Sequence, residues 1–587
     1  MNVAQFLIEI VRGLGVDTVF SLTGGMAMHI NRAVAESGLS VVYCNHEQAV
    51  VAAADGYAKA MDYRVPGVAV VTSGPGVMNT VNSVASAYYD SVPVIVIAGQ
   101  VKVADINKHG VRSFGAQETP HIDVLTPVTK LAFRYTPDDV SDEHLAACIA
   151  QCLSGRKGPI FIEVPLDIQP QTVADPAERI KKIHLCIEGL LSAPPPTPSA
   201  AVAAMRESLA RCSRPAVVIG NGLHIAGISR ETIRVLIEGL GMPALFTWPS
   251  ADLLEHSHDL HYGCAGGLAP THANRIIQHA DVLIFLGVRL DLLTTAFNPQ
   301  NFGKHAHRIV VDCDHKEIDK NQHLTNTSFF CEDVGHVVAE LSTQACEAPC
   351  NSWPEWLDEC RDWRNADRRQ EKIAFSGPTL TPYEMTRVLS EAKTVSYIVP
   401  TGSGYAVEGF ARFVSPREGV TVSFAGHCLG SMGLALPMAI GAAAARRGTV
   451  VCLEGDGGIL LNVQELYTLA ANPHLQVVIV VMNNGGYQSI VRSQNRAFGN
   501  EFGASSKSGL CDVRFDLLAT AVGFSYTRCE TVSDFEAAMM SGEGRRIIDV
   551  KLVDDGYRGP AVTTKFDTNG KPYSTDIGDV TWDRSRS

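Results

Sequence analysis

The chain has 587 residues, of which 46% are hydrophobic and 19% charged, and its 49 Lys and Arg against 62 Asp and Glu leave a net charge of −13. This length predicts three or four domains rather than one compact unit, and the composition is typical of a folded globular chain rather than a disordered one. The acidic balance argues against a nucleic-acid partner, so an anionic ligand needs a local site.

The cysteines and the N-terminal stretch predict a cytoplasmic protein. The 15 Cys form no CxxC pair, and the closest pairs are Cys148/Cys152 and Cys346/Cys350. This spacing favours reduced, buried thiols over a zinc site or disulfides. Residues 1–16 carry an acidic residue and no basic start, which indicates a first helix rather than a signal peptide. No apolar run reaches the roughly 18 residues of a membrane span.

Helix and strand patterns alternate over residues 1–170, which predicts a first α/β domain with a parallel sheet. The predicted elements are helix Val3–Gly13, strand Thr18–Phe20, helix Met26–Ser37, strand Ser40–Tyr43, helix Val50–Met61, strand Gly67–Val71, helix Met78–Tyr88, strand Val92–Ala98 and strand Ile160–Val164. The Pro-rich stretch Ser192–Ser199 then reads as a linker.

Two further α/β domains are predicted over residues 200–345 and 380–555. The first has strands at Pro215–Ile219, Ala244–Trp248, Val282–Leu286 and Arg308–Asp312; the second has strands at Val395–Pro400, Val420–Ser423, Val450–Leu453, Val477–Met482 and Ile547–Lys551. A Trp- and charge-rich segment, 347–379, predicts an exposed helix between them. The polar tail 556–587 predicts a surface wrap or a partly disordered end. The fold class is therefore three doubly wound parallel-sheet domains.

Polar clusters follow two buried strands of the third domain. The strand Thr449–Leu453 leads into Glu454–Gly458, and the strand Val477–Met482 leads into Asn483–Gly486, with 25 residues between Gly457 and Asn483. Because ligands bind at the carboxyl ends of parallel strands, we expect these clusters to be neighbours. A carboxylate, an amide oxygen and glycine backbone suit Mg²⁺ completed by a diphosphate. The alternative is two unrelated turns.

This pairing resembles the GDG…NN motif of thiamine-diphosphate enzymes, and Asn45–Ala49 supplies the glutamate, Glu47, that such a cofactor needs. The resemblance extends in collinear order over residues 1–550 to the acetolactate synthase branch of the pyruvate decarboxylase/acetolactate synthase superfamily. The segments that carry it are Thr23–Gly25, Asp55–Ala58, Thr72–Gly76, Asp90–Pro93, Gly99–Gln100, Ser431–Gly433, Leu436–Pro437 and Val463–Leu466.

The resemblance implies a pyrimidine-binding domain over 1–170, a central domain over 200–345 that holds FAD in some members, and a diphosphate-binding domain over 380–555. It also implies a homodimer or homotetramer with active sites at the subunit interface. The turns Gly263–Gly267, Gly287–Arg289 and Val311–Asp314 resemble flavin-contacting segments, which favours bound FAD in a structural role.

The resemblance gives three residues catalytic roles: Glu47, Gly25 and Gln117. Glu47 would bind the pyrimidine nitrogen from an apolar pocket, where a carboxyl group can share a proton with a weak base; alternatively it is a helix N-terminal carboxylate. Gly25 would bring its backbone near the substrate, or it simply allows a tight turn.

The cofactor and metal sites implied by the resemblance lie in the third domain. Met432 would bend the cofactor, although a Met is often core filler. The predicted cofactor-binding residues are Gly402, Ser403, Gly404, Met432, Gly455, Asp456, Gly457, Gly458, Asn484, Gly486 and Tyr487. The predicted metal ligands are Asp456, Asn484 and Gly486.

Three departures from the synthase pattern fall on the acceptor side. Ala116 replaces an aromatic residue unless Phe114 compensates, Leu166 replaces a lysine, and Leu293 replaces an arginine that would bind the acceptor carboxylate. A leucine cannot make that charge-assisted contact. The segment Tyr487–Gly499 also departs, and it either shapes a new pocket with Arg492, Gln494 and Arg496 or is a solvated basic loop.

These features predict a thiamine-diphosphate- and Mg²⁺-dependent carboligase. It would decarboxylate pyruvate and transfer the two-carbon acetyl unit to a non-standard ketone such as an activated keto-sugar. The alternatives are a true acetolactate synthase, a simple 2-oxo-acid decarboxylase, a flavin oxidase acting on pyruvate, and a homologue without activity.

Overall fold

A computed structural model describes residues 1–192, 198–345, 353–414, 416–446, 448–541, 544–552, 559–566, 568–580 and 582. Three six-stranded sheets follow one another along the chain, and every strand pair within them is parallel. This confirms the predicted class of three doubly wound α/β domains. Most of the linker 192–199 lies outside the described residues, so the domain boundaries stay predictions.

The first sheet has the order β2-β1-β3-β4-β6-β5. Its strands are β1 (Thr18–Ser21), β2 (Ser40–Tyr43), β3 (Gly67–Val71), β4 (Val94–Gln100), β5 (Leu131–Arg134) and β6 (Ile160–Pro165). Its helices are α1 (Val3–Arg12), α2 (Met28–Glu36), α3 (Glu47–Ala60), α4 (Pro75–Met78), α5 (Val81–Tyr89), α6 (His121–Leu125), α7 (Asp142–Leu153) and α8 (Pro176–Leu191).

The second sheet has the order β12-β11-β10-β7-β8-β9. Its strands are β7 (Pro215–Ile219), β8 (Ala244–Phe246), β9 (His261–Cys264), β10 (Val282–Leu286), β11 (His307–Asp312) and β12 (Thr327–Cys331). Its helices are α9 (Ala200–Leu209), α10 (Gly222–Ile225), α11 (Arg230–Leu240), α12 (Thr271–His279), α13 (His315–Asp319) and α14 (Val334–Ala345), and α15 (Pro354–Phe375) follows.

The third sheet has the order β14-β13-β15-β16-β18-β17. Its strands are β13 (Val395–Pro400), β14 (Thr421–Val422), β15 (Thr449–Gly455), β16 (Val477–Asn483), β17 (Ser525–Cys529) and β18 (Arg546–Lys551). Its helices are α16 (Pro382–Glu391), α17 (Gly404–Phe413), α18 (Ala435–Ala445), α19 (Glu465–Ala471), α20 (Gln488–Phe498), α21 (Phe515–Val522) and α22 (Val532–Met540). An antiparallel hairpin, β19 (Thr564–Phe566) and β20 (Pro572–Ser574), follows in the tail.

Each sheet reverses its winding direction between two neighbouring strands: β1 and β3, β7 and β10, and β13 and β15. At such a switch point the loops leave the strand ends in opposite directions, and a crevice opens between them. The predicted Gly-rich segments follow these strands in all three sheets. The topology therefore provides three crevices at defined places.

The first and third sheets are joined where α3 crosses α18. A Cβ on Gly56 would lie 2.1 Å from the carbonyl oxygen of Met438, and one on Gly441 would lie 1.8 Å from that of Ala53. The two helix backbones therefore touch directly, which only glycine permits. One continuous hydrophobic cluster includes residues of both sheets.

Three predicted helices begin or break differently in the structure. The helix predicted at Val50 begins at Glu47, and the one predicted over Met78–Tyr88 is two helices, α4 and α5. The helix predicted at Met26 begins at Met28, after a 3₁₀ turn, Gly25–Ala27. Gly-rich turns at strand ends precede α2 and α4 and override helical periodicity there, whereas α3 begins at its N-cap His46, whose side chain accepts from the Gln48 N–H.

The segment predicted as an exposed helix, 347–379, contains α15, but one face of that helix is buried. Its buried residues include Trp356, Cys360 and Arg364, and Arg364 donates to the carbonyl oxygen of His261 at 2.9 Å. The tail also packs on this helix, since the indole of Trp582 donates to Asp367. Arg364 and Asp367 therefore hold one face of the helix against the second sheet and the tail, while most of its other charged residues face solvent.

Of the helices that the structure describes, none combines the length and the apolar character that a membrane span requires.

The α3–α18 crossing yields a prediction. A Gly441→Ala substitution should destabilise the fold by about 1–3 kcal/mol, because its methyl group overlaps a backbone oxygen that cannot move alone. Thermal unfolding followed by circular dichroism should show a midpoint lowered by several degrees. The matched control is Gly189→Ala in α8, where a Cβ meets nothing within 4 Å. Equal midpoints for the two variants would contradict the close crossing.

Candidate functional site

The predicted diphosphate-binding residues of the third sheet lie together. Gly402–Gly404 follows β13, Gly455–Gly458 ends β15 and begins its turn, and Asn483–Gly486 ends β16. These three strands are adjacent in the sheet, with the switch point between β13 and β15. The turns therefore border one crevice, as the spacing of the two motifs predicts.

Asp456 joins the two motifs directly. Its Oδ1 accepts a hydrogen bond from the Gly457 N–H at 2.8 Å, and its Oδ2 accepts from the N–H groups of Gly485 and Gly486 at 2.8 and 2.9 Å. Burial raises the pKa of Asp456, although these three N–H groups work in the opposite direction. The carboxylate thus fixes the distance between the turns and presents its remaining lone pairs to the crevice.

The polar side chains of this crevice suit a metal and a diphosphate. Ser403 Oγ is buried without a hydrogen-bond partner among the described residues, and Asn484 is half-buried. A Cβ on Gly402 would lie 2.1 Å from the carbonyl oxygen of Ala425, so the backbone there is closely packed. Carboxylate, amide and carbonyl oxygens are the ligands that Mg²⁺ takes alongside phosphate oxygens.

The apolar residues beside the crevice differ in exposure. The ring of Tyr487 covers Gly457, where a Cβ would lie 2.4 Å from it. Met432 is 40% exposed, so it is not core filler within this chain. Gly455 has nothing within 4 Å of a Cβ position, and Gly458 faces the carboxyl group of Glu454. Met432 is therefore free to contact a ligand.

The first-sheet candidates meet around the turn Thr72–Gly76, which follows β3. Thr72 Oγ1 accepts from the Met26 N–H at 3.2 Å, and a Cβ on Gly74 would lie 2.9 Å from Cα of Gln117. Gln117 itself has φ 64°, a left-handed conformation that costs energy in a residue with a side chain. Such a strained backbone conformation persists only where the surrounding contacts fix it.

The structure separates the two interpretations of Gly25. Its φ is not positive and a Cβ there would meet nothing within 4 Å, whereas a Cβ on Gly24 would lie 2.4 Å from Thr72. The tight packing therefore explains Gly24 and leaves Gly25 exposed at the mouth of the crevice.

Glu47 is the first residue of α3, and its surroundings are more polar than predicted. It is half-buried, and Asn79 Nδ2 donates to its Oε2 at 3.0 Å. The apolar pocket expected from sequence is therefore not formed within one chain. Asn79 was not predicted from the sequence because it lies in the break between α4 and α5. The helical periodicity of the sequence gives no sign of that break.

Hydrogen bonds connect the N-terminal end of α3 to the third sheet. The Asn45 N–H donates to the Glu465 carboxylate at 3.1 Å, and Asn462 Nδ2 donates to Gln48 Oε1 at 3.3 Å. Burial raises the pKa of Glu465. Within the described part of one chain, Glu47 does not contact the Asp456 cluster.

A buried network that the sequence did not reveal supports the Gly74 turn. The Gly74 N–H donates to His121 Nε2 at 3.0 Å, and His121 Nδ1 lies 2.9 Å from Glu163 Oε2. Gln100 and Arg134 also donate to the Glu163 carboxylate. His121 and Arg134 hold the pKa of Glu163 below its usual range against the effect of burial.

Two cavities open at the junction of the three sheets. The larger, of about 720 Å³, contacts the switch points of the second sheet at Asn221, Gly222 and Gly287, and reaches Asp90 and His427. We refer to it as the junction cleft. The smaller, of about 350 Å³, contacts Gly402–Gly404 and the tail, and we refer to it as the acceptor pocket.

Of the three acceptor-side departures, Ala116, Leu166 and Leu293, it is Leu293 that lines the acceptor pocket. Ala116 and Phe114 are exposed and do not line it. The segment Tyr487–Gly499, predicted either to shape a new pocket or to be a solvated basic loop, contains helix α20, none of whose residues is buried. Arg492, Gln494 and Arg496 lie on that surface helix, and the pocket is lined instead by Glu408, which Ser489 contacts at 3.5 Å.

Fold and crevice together define an α/β enzyme that holds a diphosphate-bearing cofactor through a divalent metal. Known proteins support this class. The family models of the thiamine pyrophosphate enzymes match in three parts: the N-terminal TPP-binding domain over residues 1–119, the central domain over 202–341 and the C-terminal TPP-binding domain over 402–550.

Several curated relatives cover most of the chain. An acetolactate synthase isozyme 2 large subunit from Escherichia coli is 28% identical and covers 94% of this chain and 96% of its own length. Acetolactate synthase 2 from Nicotiana tabacum is 31% identical over 84% of this chain and 72% of its own. The chain therefore belongs to the acetolactate synthase-like family of thiamine-diphosphate-dependent enzymes, which form and break C–C bonds.

The Asp456 contacts yield a prediction. Asp456→Asn should lower the affinity for thiamine diphosphate in the presence of Mg²⁺ by about 100-fold, since it removes the negative charge of the predicted metal ligand and replaces one carboxylate oxygen by an NH₂ group, which cannot accept from the glycine N–H groups. Isothermal titration of the purified chain measures this. The control is Asp512→Asn, an exposed position. Unchanged affinity in Asp456→Asn would contradict the assignment of the metal ligand.

Proposed function

We propose that the chain decarboxylates pyruvate and transfers the two-carbon acetyl unit to a ketone that is not a second small 2-oxo acid, such as an activated keto-sugar. One observation carries the acceptor part of this proposal. Leu293 lines the acceptor pocket beside Gly402–Gly404, at the position where the synthase pattern has an arginine.

The chain's residues would hold the cofactor and control one proton. Asp456, Asn484 and the Gly486 backbone would bind Mg²⁺, and Ser403 with the Gly402–Gly404 amides would bind the diphosphate. When bound, thiamine diphosphate supplies the electron sink for decarboxylation. Glu47 would hold a proton at the pyrimidine ring nitrogen, and Asn79 would orient the Glu47 carboxylate through its hydrogen bond at 3.0 Å.

The acceptor pocket has one apolar and one polar side. Trp248, Leu268, Leu293 and Phe297 form the apolar side, and Glu408, Thr563 and Ser574 supply oxygen atoms on the other. No Arg or Lys lines it among the described residues. Its volume of about 350 Å³ is in the range of small-molecule sites and exceeds what a three-carbon acid fills. A sugar ring presents matching apolar and hydroxyl faces.

A second candidate is acetolactate synthase itself, with pyruvate as the acceptor. The names of the curated relatives favour it, and so does His427, which lines the acceptor pocket. Burial opposes charge on His427, but Asp90 and the Cys428 sulphur raise the pKa of His427 to about 10. An imidazolium in the wall could replace the missing arginine.

The acceptor proposal predicts an outcome for Leu293→Arg. With pyruvate, thiamine diphosphate, Mg²⁺ and a panel of ketones and aldehydes, the unaltered chain should ligate a bulkier ketone, and Leu293→Arg should shift product toward acetolactate by about tenfold. Mass spectrometry measures the products. The matched control is Leu292→Arg, because the neighbouring Leu292 side chain is 59% exposed and does not line the pocket.

Three results would count against this function. Efficient acetolactate formation by the unaltered chain would favour the second candidate, and CO₂ release without a ligated product would indicate a simple decarboxylase. Turnover that persists in Glu47→Gln would contradict the role of Glu47.

We also propose that FAD occupies the junction cleft in a structural role. Asn221 Oδ1 is buried in its wall without a hydrogen-bond partner. The strand-end turns are close enough that a Cβ on Gly222 would lie 2.7 Å from Cα of Gly287, so a ligand can approach their backbone. The cleft volume of about 720 Å³ accommodates a dinucleotide.

The FAD proposal predicts that the purified chain shows the visible absorption bands of a flavin. After gel filtration it should retain close to one flavin per chain. A colourless, active enzyme would contradict it.

We propose further that the active form is a homo-oligomer. Glu47 and the Asp456 cluster do not meet within one chain, and exposed apolar side chains border both. They are Met28, Tyr43 and Met78 near the first-sheet turns, and Met432, Leu460 and Leu461 near the third-sheet turns. A second copy that covers these faces would complete the site.

A further inference from the structure

A cluster of charged side chains lies where the three sheets meet, outside the diphosphate crevice. At its base the ammonium group of Lys59, which is buried, contacts Asp55 at 3.1 Å and Asp90 at 3.0 Å. Lys59 also donates to the carbonyl oxygen of Phe424 at 3.1 Å. Asp90 is therefore a fixed, ionised group, and His427 and Lys59 hold its pKa well below the usual range.

His427 lies between Asp90 and Cys428. Its Nδ1 lies 3.2 Å from Asp90 Oδ2, and its Nε2 lies 3.2 Å from Cys428 Sγ. The Cys428 N–H donates to Asp90 Oδ1 at 3.1 Å, which fixes the loop against the carboxylate. A histidine that contacts a thiol and lies beside a carboxylate is an arrangement found around nucleophilic cysteines.

A second cation contacts the same sulphur atom. Arg289 Nη2, from the turn after β10, lies 2.7 Å from Cys428 Sγ, and Asp291 lies 3.4 Å from that guanidinium. The sulphur atom of Cys428 therefore lies between an imidazole ring and a guanidinium group. The first sheet supplies the carboxylate, the second the guanidinium and the third the histidine and the thiol.

A metal ion explains this cluster less well. Asp90, His427 and Cys428 offer ligand atoms within 4.8 Å of one another. However, Lys59 and Arg289 already contact two of these three ligands with positive charge, which opposes a divalent cation in the same space.

Small molecules can reach this thiol through the junction cleft. Cys428 is partly exposed, and Cys428, His427 and Arg289 all line the cleft of about 720 Å³. A planar aromatic disulfide fits such a volume. Most other described cysteines are buried; those exposed are Cys313, Cys331 and Cys511.

We propose that Cys428 is a nucleophilic cysteine and a thiolation site for low-molecular-mass disulfides, with His427 and Arg289 in contact with its sulphur and Asp90 holding its loop. The thiol releases its proton to solvent before the sulphur reacts. In the step, the Cys428 sulphur attacks one sulphur of the disulfide and forms a mixed disulfide. The original S–S bond breaks, and its other sulphur leaves with the electron pair as a thiolate. The disulfide is the oxidant and one of its halves is the reduced product, so no other reactant is needed.

One consequence rests on the FAD proposal above. If FAD occupies the junction cleft, the mixed disulfide and the flavin compete for the same wall. Thiolation should then release FAD, and bound FAD should slow thiolation. A colourless protein would contradict the FAD proposal alone and would leave the reactivity of Cys428 to be measured directly.

The test is the reaction of the purified chain, with and without bound flavin, with 5,5′-dithiobis(2-nitrobenzoate). Absorbance at 412 nm follows the released thiolate, and peptide mass mapping identifies the modified cysteine. We expect Cys428 to react at least about tenfold faster than Cys331 and Cys511.

Variants separate activation from mere access. Cys428→Ser should remove the fast phase, and the matched control Cys511→Ser should keep it. His427→Gln and Arg289→Gln should each slow the fast phase about tenfold and leave the rates of Cys331 and Cys511 unchanged. A disrupted fold would instead make the buried cysteines reactive, and circular dichroism reports it independently.

Two results would overturn the proposal. One is a Cys428 rate no greater than that of Cys331 and Cys511 in flavin-free protein. The other is a fast phase that persists unchanged in both His427→Gln and Arg289→Gln, because the contacts of these two side chains would then have no effect on the thiol.

Discussion

The rest of the structure depends on the contact between the backbones of α3 and α18. Glycine at 56 and 441 brings these helices within reach of each other's carbonyl oxygens, so their relative position has almost no freedom. Helix α3 begins with Glu47, against the third sheet, and ends near Lys59, which contacts Asp90. One rigid helix therefore positions both the proposed catalytic carboxylate and the charged cluster around Cys428.

The same topology solves the problem of binding an anionic cofactor to a chain of net charge −13. No basic patch is used, because the third-sheet switch point places backbone N–H groups, a carboxylate and an amide around one crevice. Asp456 holds Gly485 and Gly486 in place through their N–H groups, and a divalent metal would convert this negative group into an attraction for phosphate. The second sheet repeats the arrangement with Gly222 and Gly287.

The sequence predicted what depends on continuous apolar runs and strand ends. The strand Val477–Met482 is buried on both faces, so its continuous apolar sequence was enough to predict it. The end of that strand also predicted where the following turn lies. Edge strands such as Ser525–Cys529 were missed because they are half-exposed and mixed in character. The cluster at Cys428 was also missed, since Asp90 lies 338 residues away and Arg289 lies 139 residues away, and no local pattern reports such contacts.

The two cavities share a wall that includes position 293. Trp248, Leu293 and His427 line both the junction cleft and the acceptor pocket. On the cleft side, His427 and Arg289 bring two positive charges, which Asp90 and Asp291 balance. The lining of the pocket adds one further carboxylate, Glu408, so an arginine at 293 would be attracted by Glu408 and repelled by His427. A change of charge at position 293 therefore acts on both cavities, because the same side chain lines both.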